Sequence, residues 1–531
     1  MVSFKCLAAC GLAALPCLAA ALPRPSCPDG LSKQTRAELT MQQVQQELGV
    51  LISPGSHIYS AEDQEFEELT LRYQAFRPPK IKLVVQVGKE EDVSAVISYA
   101  DRNSVDFYVV NRGHGLPLSQ GKFNGIQIDV GLLRNITIGE DGTSGLFQGG
   151  TFDQQVIDYL WERGYATSKQ TTSSRDPVTD MHSHLQPRAA APCVGMLGPG
   201  LGGGHGRLQN KHGLISDNML KINAVLANGT TITVSADSHP DLFWAMRGAG
   251  HNFAAVTSFE LKLYPRGPDT WYHKTYIFTE DKLERLFELL NGVDEEKNQT
   301  SHMLNFGFYF WNQAFDADKP VIQWDFTYIG PQADVEARLA PFDNLGPVNV
   351  TDANIPYPEI LPATGTGLDD PMCAPGLNHV VGTAGTQLYN ITTQRQIFDH
   401  FVGKSAAYPA LAGTFVVMES YGVNGVVAKD PASSAFPMRD DYLLLQISVN
   451  YAPDASLDAA AVQWAREAVD MWNRGQPTRR PTTYVNYGLG DESLESIYGY
   501  EPWRLERLLS LKKAYDPHNK FRYYVPLVRD A

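Results

Sequence analysis

Positive charge, cysteine and long apolar runs are all scarce in this chain, and each scarcity excludes something. Its 531 residues carry 44 Lys and Arg against 59 Asp and Glu, a formal net charge of −15. That balance argues against nucleic acid or an anionic membrane surface as a partner. One apolar stretch stands out, Met1 to Ala21, with a single positive charge at Lys5 and a closing Ala19-Ala20-Ala21. It is too short to span a bilayer and ends like a secretory signal, so a secreted protein without a membrane segment is expected. Three of the six cysteines leave with it. Cys27, Cys193 and Cys373 remain, an odd number that permits at most one internal disulfide, its pairing open. There is no internal repeat, no coiled coil and no G-x-S-x-G elbow for a serine nucleophile. His182 and His184 have no third ligand nearby, so no metal is expected. Five N-x-S/T sequons, at Asn135, Asn228, Asn298, Asn349 and Asn390, fit a secreted glycoprotein.

What is present reads as an ordinary globular chain, with 43% hydrophobic and 19% charged residues. Its length exceeds the roughly 250–300 residues at which single cores stop growing. Ile81–Val87, Phe107–Asn111 and Ile126–Val130 read as strands, and Val93, Val96, Ile97 and Ala100 mark one face of a helix between the first two. From about Thr270 the texture changes. Trp271–Phe278, Met303–Trp311, Val321–Tyr328 and Tyr442–Tyr451 are strands, many of them aromatic. Leu283–Leu290 and Leu457–Trp472 are helical, which predicts helices packed on one side of an antiparallel sheet. Residues 350–440 are rich in Pro, Gly and Thr and show no readable order. A last helix runs through Leu505, Leu508, Leu509 and Lys512.

The densest glycine lies in Cys193-Val-Gly-Met-Leu-Gly-Pro-Gly-Leu-Gly-Gly-Gly-His-Gly206. Glycine at that density costs backbone entropy, tolerated where the chain must turn left-handed or lie close against something, and such backbone can cradle a phosphate or the polar edge of a flat ring. Gly198, Gly200 and Gly203 match G-x-G-x-x-G with Asp217 downstream, but no buried strand precedes them and no good helix follows, which makes a Rossmann fingerprint weak.

Taken in order, these pieces resemble the flavin-linked oxidases of the vanillyl-alcohol-oxidase superfamily, in the fungal berberine-bridge-enzyme-like branch. The resemblance is carried by the Gly113-His114 loop, Cys193-Val-Gly with Gly202-Gly-Gly-His-Gly206, and Gly213-Leu-Ile-Ser-Asp-Asn218. It continues through Asp241–Gly250, Asn252-Phe253 with Val256-Thr257, Tyr484-Val-Asn486 and Leu511–Pro517. It implies an α+β fold: a two-subdomain PCMH-type FAD-binding domain (22–266, core about 77–266, and 480–531) around an inserted substrate domain of antiparallel sheet plus helices (267–479), after a signal peptide at 1–21. It implies FAD held by Arg112, Gly113, His114, Gly115, Val194, Gly195, Gly203, Gly204, Gly206, Asp217, Asn218, Val256 and Asn486. His114 matches the histidine that bonds to the flavin 8α-methyl carbon, and a neutral imidazole is a competent nucleophile for that.

Two departures qualify the match. Lys169 to Ala189, polar and without period, are additional, either a surface loop or a mistranslated intron. Where doubly linked relatives carry a second flavin-bonding cysteine this chain has Ala191, so a single link through His114 is expected. Val194 matches a position where a small residue admits oxygen. The implied activity is a secreted oxidase in fungal secondary metabolism. It would move a hydride from a small organic substrate to FAD, with reoxidation by O2 giving H2O2 and no obligate protein partner. An oligosaccharide oxidase is the alternative, and a non-redox ligand-binding or cyclising protein a further one. Tyr484, His205 and Gln446 are expected to face the substrate, with Tyr484 or His205 taking the proton, because glutamine cannot.

Overall fold

The structure, a computed structural model, describes residues 40–167, 192–295, 302–364, 367–370 and 373–529. The leader, Cys27, Asn298, Ala191 and the additional segment 169–189 lie outside these residues. Two small sheets form the cofactor side. In the first, β1 (His57–Tyr59), β2 (Lys80–Gln86), β3 (Asp106–Val110) and β4 (Asn124–Asp129) lie in the order β1-β2-β4-β3. The helix α1 (Glu90–Arg102) joins β2 to β3, as the apolar spacing predicts, but these two strands are not neighbours. β4 slips between them, parallel to both. All of Val93, Val96, Ile97 and Ala100 are buried, against β2 and β4 residues such as Val85 and Ile128.

The second sheet is antiparallel: β5 (Ile136–Ile138), β6 (Ser144–Gln148), β7 (Met219–Val225), β8 (Thr231–Ser235) and β9 (Ala255–Lys262), in the order β5-β6-β9-β7-β8. β7 and β8 form a hairpin whose turn is Asn228-Gly229, with Gly229 at φ 83°. The helices α2 (Asp153–Glu162) and α3 (Pro240–Ala249) close this side.

A seven-stranded antiparallel sheet forms the rest. β10 (Trp271–Phe278), β11 (Met303–Phe310), β12 (Val321–Tyr328), β13 (Asn349–Ile355), β14 (Asn378–Thr386), β15 (Phe415–Ser420) and β16 (Leu443–Tyr451) run in the order β13-β10-β12-β11-β15-β16-β14. Three of these strands, and a helix over Ile391–Ala407, come from the stretch the sequence left unordered. α4 (Leu283–Glu295), α5 (Ile391–Ala407) and α6 (Asp458–Arg474) cover one face, burying Leu286, Phe398 and Trp464 among Trp324, Met418 and Leu445. Alternate residues, among them Phe306, Phe308, Val417 and Leu444, face the other way, because side chains alternate along a strand. α7 (Pro502–Tyr515) and the chain end return to the second cofactor sheet, where Leu508, Val525 and Leu527 pack with Ile222 and Phe259.

Candidate active site

A cavity of about 350 Å³ lies between the cofactor-side loops and the uncovered face of the large sheet. One wall is largely backbone. The loop after β3 contributes Arg112, Gly113, His114 and Gly115, the glycine-rich loop contributes Val194, Gly195 and Gly198, and β9 contributes Val256. The loops are fastened together: Arg112 Nε donates to the Cys193 carbonyl at 3.1 Å, the Asp153 N–H to the Val194 carbonyl at 3.0 Å, and the Met196 N–H to the Thr151 carbonyl at 3.0 Å. Cys193 is disulfide-bonded to Cys373, tying the start of this loop to the segment just before β14. Gly203 shows why the loop needs glycine. Its φ is +105°, and a Cβ there would stand 2.5 Å from the Phe436 ring, a conformation and a clearance that L side chains do not tolerate.

FAD fits this wall on two grounds. Asn111 Oδ1, Gln120 Nε2 and Asn486 Oδ1 belong to residues that border the cavity, and these atoms are buried without a hydrogen-bond partner. Such orphans are costly unless something completes them. Gly198 borders the same space, and nothing stands within 4 Å of where its Cβ would project.

The opposite wall is made of side chains. Val381, Phe415, Val417, Gln446 and Ser448 come from β14, β15 and β16, where the register pairs Val417 with Gln446 and sets both Phe415 and Val381 beside Ser448. Tyr421, Tyr484, Tyr487 and His205 complete it. The His205 ring lies edge-on to Tyr484, 4.7 Å between centroids. Its Nδ1 faces Gln209 Oε1 at 2.8 Å, which assigns the proton to Nδ1 and the lone pair to Nε2. Burial pushes its pKa down to about 4. The Tyr484 hydroxyl accepts from Asn486 Nδ2 at 2.7 Å and from the His205 N–H at 3.4 Å, yet burial still pushes it up to about 12. Both are therefore neutral at ordinary pH.

The sequence reading missed the carboxylate behind this wall. Glu419 on β15 is 1% exposed, and the Tyr487 hydroxyl faces its two oxygens at 3.2 and 3.3 Å. Burial pushes its pKa up to about 8, opposed by hydrogen bonds from Tyr487 and Tyr421 and by the charge of Arg207. Arg207 is itself buried, its guanidinium 5.0 Å over the Phe306 ring. Phe306 sits in cross-strand register with Glu419 on one side and Asp325 on the other, which places Arg207 over a row bounded by two acids. A lone Glu in the apolar run Phe415-Val-Val-Met-Glu-Ser420, and the second tyrosine after Tyr484-Val-Asn486, were the available signals.

Of the residues expected at the site, Arg112, Gly113, His114, Gly115, Val194, Gly195, Val256, Asn486, Tyr484, His205 and Gln446 all border the cavity. Gly203, Gly204, Gly206, Asp217 and Asn218 do not. Asp217 forms an ion pair with Arg439 at 2.8 Å, both 3% exposed at the side chain. Asn218 donates to the His212 and Leu214 carbonyls and accepts from the Tyr264 hydroxyl at 2.6 Å. These two brace the loop from behind.

A family profile described as an FAD binding domain matches residues 81–179. The chain is 53% identical to the FAD-linked oxidoreductase anuG of Penicillium roqueforti (strain FM164), over 98% of each chain. In structure it is similar to Physcomitrella patens BBE-like 1, with a TM-score of 0.74 at 19% identity, covering 92% of this chain and 100% of that one. It is also similar to a chitooligosaccharide oxidase, with a TM-score of 0.72 at 19% identity, covering 92% and 100%. The protein is thus an FAD-binding enzyme on an α+β, PCMH-type scaffold like that of BBE-like 1, and it belongs to the family of FAD-linked oxidoreductases.

Proposed function

We propose that the chain is a secreted oxidase of fungal secondary metabolism acting on the hydroxyl-bearing carbon of a small uncharged molecule. The observation that carries this is Tyr487, a cavity-wall phenol whose hydroxyl rests on the buried Glu419. Tyr487 takes the substrate hydroxyl proton as it gives its own to the ionised form of Glu419, whose share grows as pH rises through about 8. Tyr484, Gln446 and the Nε2 of His205 orient the substrate over the cofactor wall. FAD, when bound, supplies the hydride acceptor and passes the electrons to O2, giving H2O2. Its holders are the backbone of Gly113–Gly115 and Val194-Gly195, with Arg112, Val256 and Asn486, and His114 carries the single covalent link. Val194 leaves room for oxygen beside the ring.

The side-chain wall supports a small substrate, because Val381, Phe415, Val417, Tyr421, Gln446 and Ser448 offer apolar surface and no charge. The Cys193–Cys373 disulfide supports an oxidising compartment, and Asn135, Asn228 and Asn390 are exposed as glycan acceptors must be. Packing of Leu508, Val525 and Leu527 on the second cofactor sheet supports assigning 480–531 with 22–266 and 267–479 as the inserted domain.

The test is anaerobic mixing of purified protein with a panel of small alcohols and with oligosaccharides. Bleaching of the flavin band by a small alcohol, followed on air by one H2O2 per turnover, is expected. Bleaching by oligosaccharides alone establishes the sugar-oxidase reading instead, and bound ligand without bleaching establishes a binding protein.

A further inference from the structure

The segment 72–76 threads between the cofactor loop and the large sheet, and its Tyr73 ring is sandwiched between two imidazoles. The ring centroid is 4.0 Å from that of His379, with planes 10° apart, and 4.8 Å from that of His114, with planes 19° apart. His379 sits on β14, in the sheet that faces the substrate, while His114 belongs to the cofactor loop. The His379 end of this stack is held. The His379 ring is buried, its Nδ1 2.7 Å from Asn450 Oδ1. Ser448 Oγ donates to that same oxygen at 2.7 Å, and Asn450 Nδ2 donates to the Gly413 carbonyl at 3.1 Å.

The backbone repeats the connection. The His379 N–H donates to Gln74 Oε1 at 2.8 Å, and Gln74 Nε2 donates to the His379 carbonyl. The Ala75 N–H donates to the Leu377 carbonyl at 2.9 Å, and the Gly376 N–H to the Arg72 carbonyl at 3.1 Å. On the other side the Tyr73 N–H donates to the Gly113 carbonyl at 3.2 Å, one residue before His114.

We propose that Tyr73 and His379 are positioning residues for flavin attachment: the docked substrate sheet, through the Tyr73 ring, sets the plane in which the His114 imidazole meets the flavin. The inference rests on the reading that His114 carries the link. The torsion that turns an imidazole about its own axis is broad and roughly two-fold, so an unsupported ring spreads its nitrogens over many directions. Bond formation needs the ring-plane lone pair on the carbon, and a small misalignment costs rate steeply. Attachment forms one bond from an imidazole nitrogen to the 8α-methyl carbon. It breaks one methyl C–H bond and releases both that proton and the imidazole N–H proton. Two electrons remain on the flavin ring and are taken up by O2, giving H2O2. The attachment site is therefore completed only when the substrate sheet is folded and docked, which couples cofactor linkage to correct assembly.

The test uses the full chain, loaded with FAD in air, and reads two quantities against time: total flavin per protein by absorbance, and flavin fluorescence retained by acid-denatured protein. In His114→Ala the retained fraction should be nil. In Tyr73→Ala and His379→Ala total flavin should stay near the wild-type level while the retained fraction grows at least about tenfold more slowly. Tyr73→Phe, which keeps the ring, should attach at nearly the wild-type rate. Wild-type attachment rates in both alanine variants overturn the inference and leave the His114 reading standing. So does a parallel loss of total and retained flavin, which marks a merely structural role. Should Tyr73→Ala not fold, His379→Ala and His379→Leu carry the decision alone. Retained flavin in His114→Ala overturns the underlying reading.

Discussion

The two walls of the cavity are built by opposite means. On the cofactor side the chain presents main chain: Gly113–Gly115 and Val194–Gly198, pinned by Arg112 and by backbone hydrogen bonds to Thr151 and Asp153. On the substrate side it presents side chains from three strands, with the carboxylate of Glu419 set behind the tyrosines. A backbone cradle tolerates little change in shape and makes the same contacts for every substrate. A side-chain wall can change residue by residue without disturbing the sheet that bears it. The first wall should therefore fail by losing the cofactor or the fold, and the second by losing chemistry while the flavin stays.

The largest effect expected is on the backbone wall. Gly203→Ala forces a side chain into φ +105° against Phe436, combining backbone strain of about 1–3 kcal/mol with overpacking of similar size. Purified protein should be largely without flavin, and denaturant midpoints should fall accordingly. Full flavin content in that variant would break the distinction between the walls.

Next in size is Glu419→Gln. It keeps shape and removes the acceptor, so flavin content and melting temperature should hold while the rate of flavin reduction falls about 10²-fold or more. The wild-type rate should rise with pH through about 8 as Glu419 ionises, and the variant should lack that limb. Stability runs the other way. With its pKa raised from 4.5 to about 8 in the fold, Glu419 contributes stability that is complete below about 4.5 and is lost as pH rises through about 8. An alkaline limb that persists unchanged in Glu419→Gln removes Glu419 from the role of base.

Cys373→Ser opens the disulfide that ties the glycine-rich loop to the segment before β14. Removing a disulfide that closes a loop of 180 residues should cost about 2–5 kcal/mol in unfolding experiments. The flavin should remain attached, since the link is assigned to His114. Smallest is an acid effect shared by both walls. His379 is buried and His205 and His251 are half-buried; desolvation holds all three neutral, each pushed from 6.5 down to about 4. The stability they contribute is complete above about 6.5 and is lost as pH falls through about 4, so the melting temperature should begin to decline below about pH 6.5. His205→Gln should make that decline shallower.

The same contrast explains how much could be read from sequence. The backbone wall is written locally. Gly113-His114, Val194-Gly195, Tyr484 and Asn486 sit in short contiguous stretches and border the cavity, while Gly203, Gly204 and Gly206 of the same glycine-rich stretch do not. Asp217 and Asn218 lie in an equally legible motif, but their polar atoms are spent on Arg439, His212, Leu214 and Tyr264; a motif marks a constraint without saying whether ligand or packing imposes it. The side-chain wall is written at long range. Glu419 meets Tyr487 across 68 residues, and Phe306 joins Arg207 to it only through strand register. Residues 350–440 hid β14 and β15 because strands buried on both faces, such as Asn378–Thr386 and Phe415–Ser420, show no alternation of polar and apolar residues; β13 is a largely exposed edge strand with little apolar sequence to mark it. The Cys193–Cys373 bond followed from no spacing rule, since three thiols allow any pairing.

The account stands or falls most directly on where the flavin is bonded. Peptide mapping of the purified chain by mass spectrometry, digested without reduction, reads this without knowledge of the substrate. The expected result is FAD on the peptide containing His114, with Cys193 recovered in disulfide linkage to Cys373. FAD on the peptide containing Cys193, or its full release from the wild-type chain by acid, would contradict it.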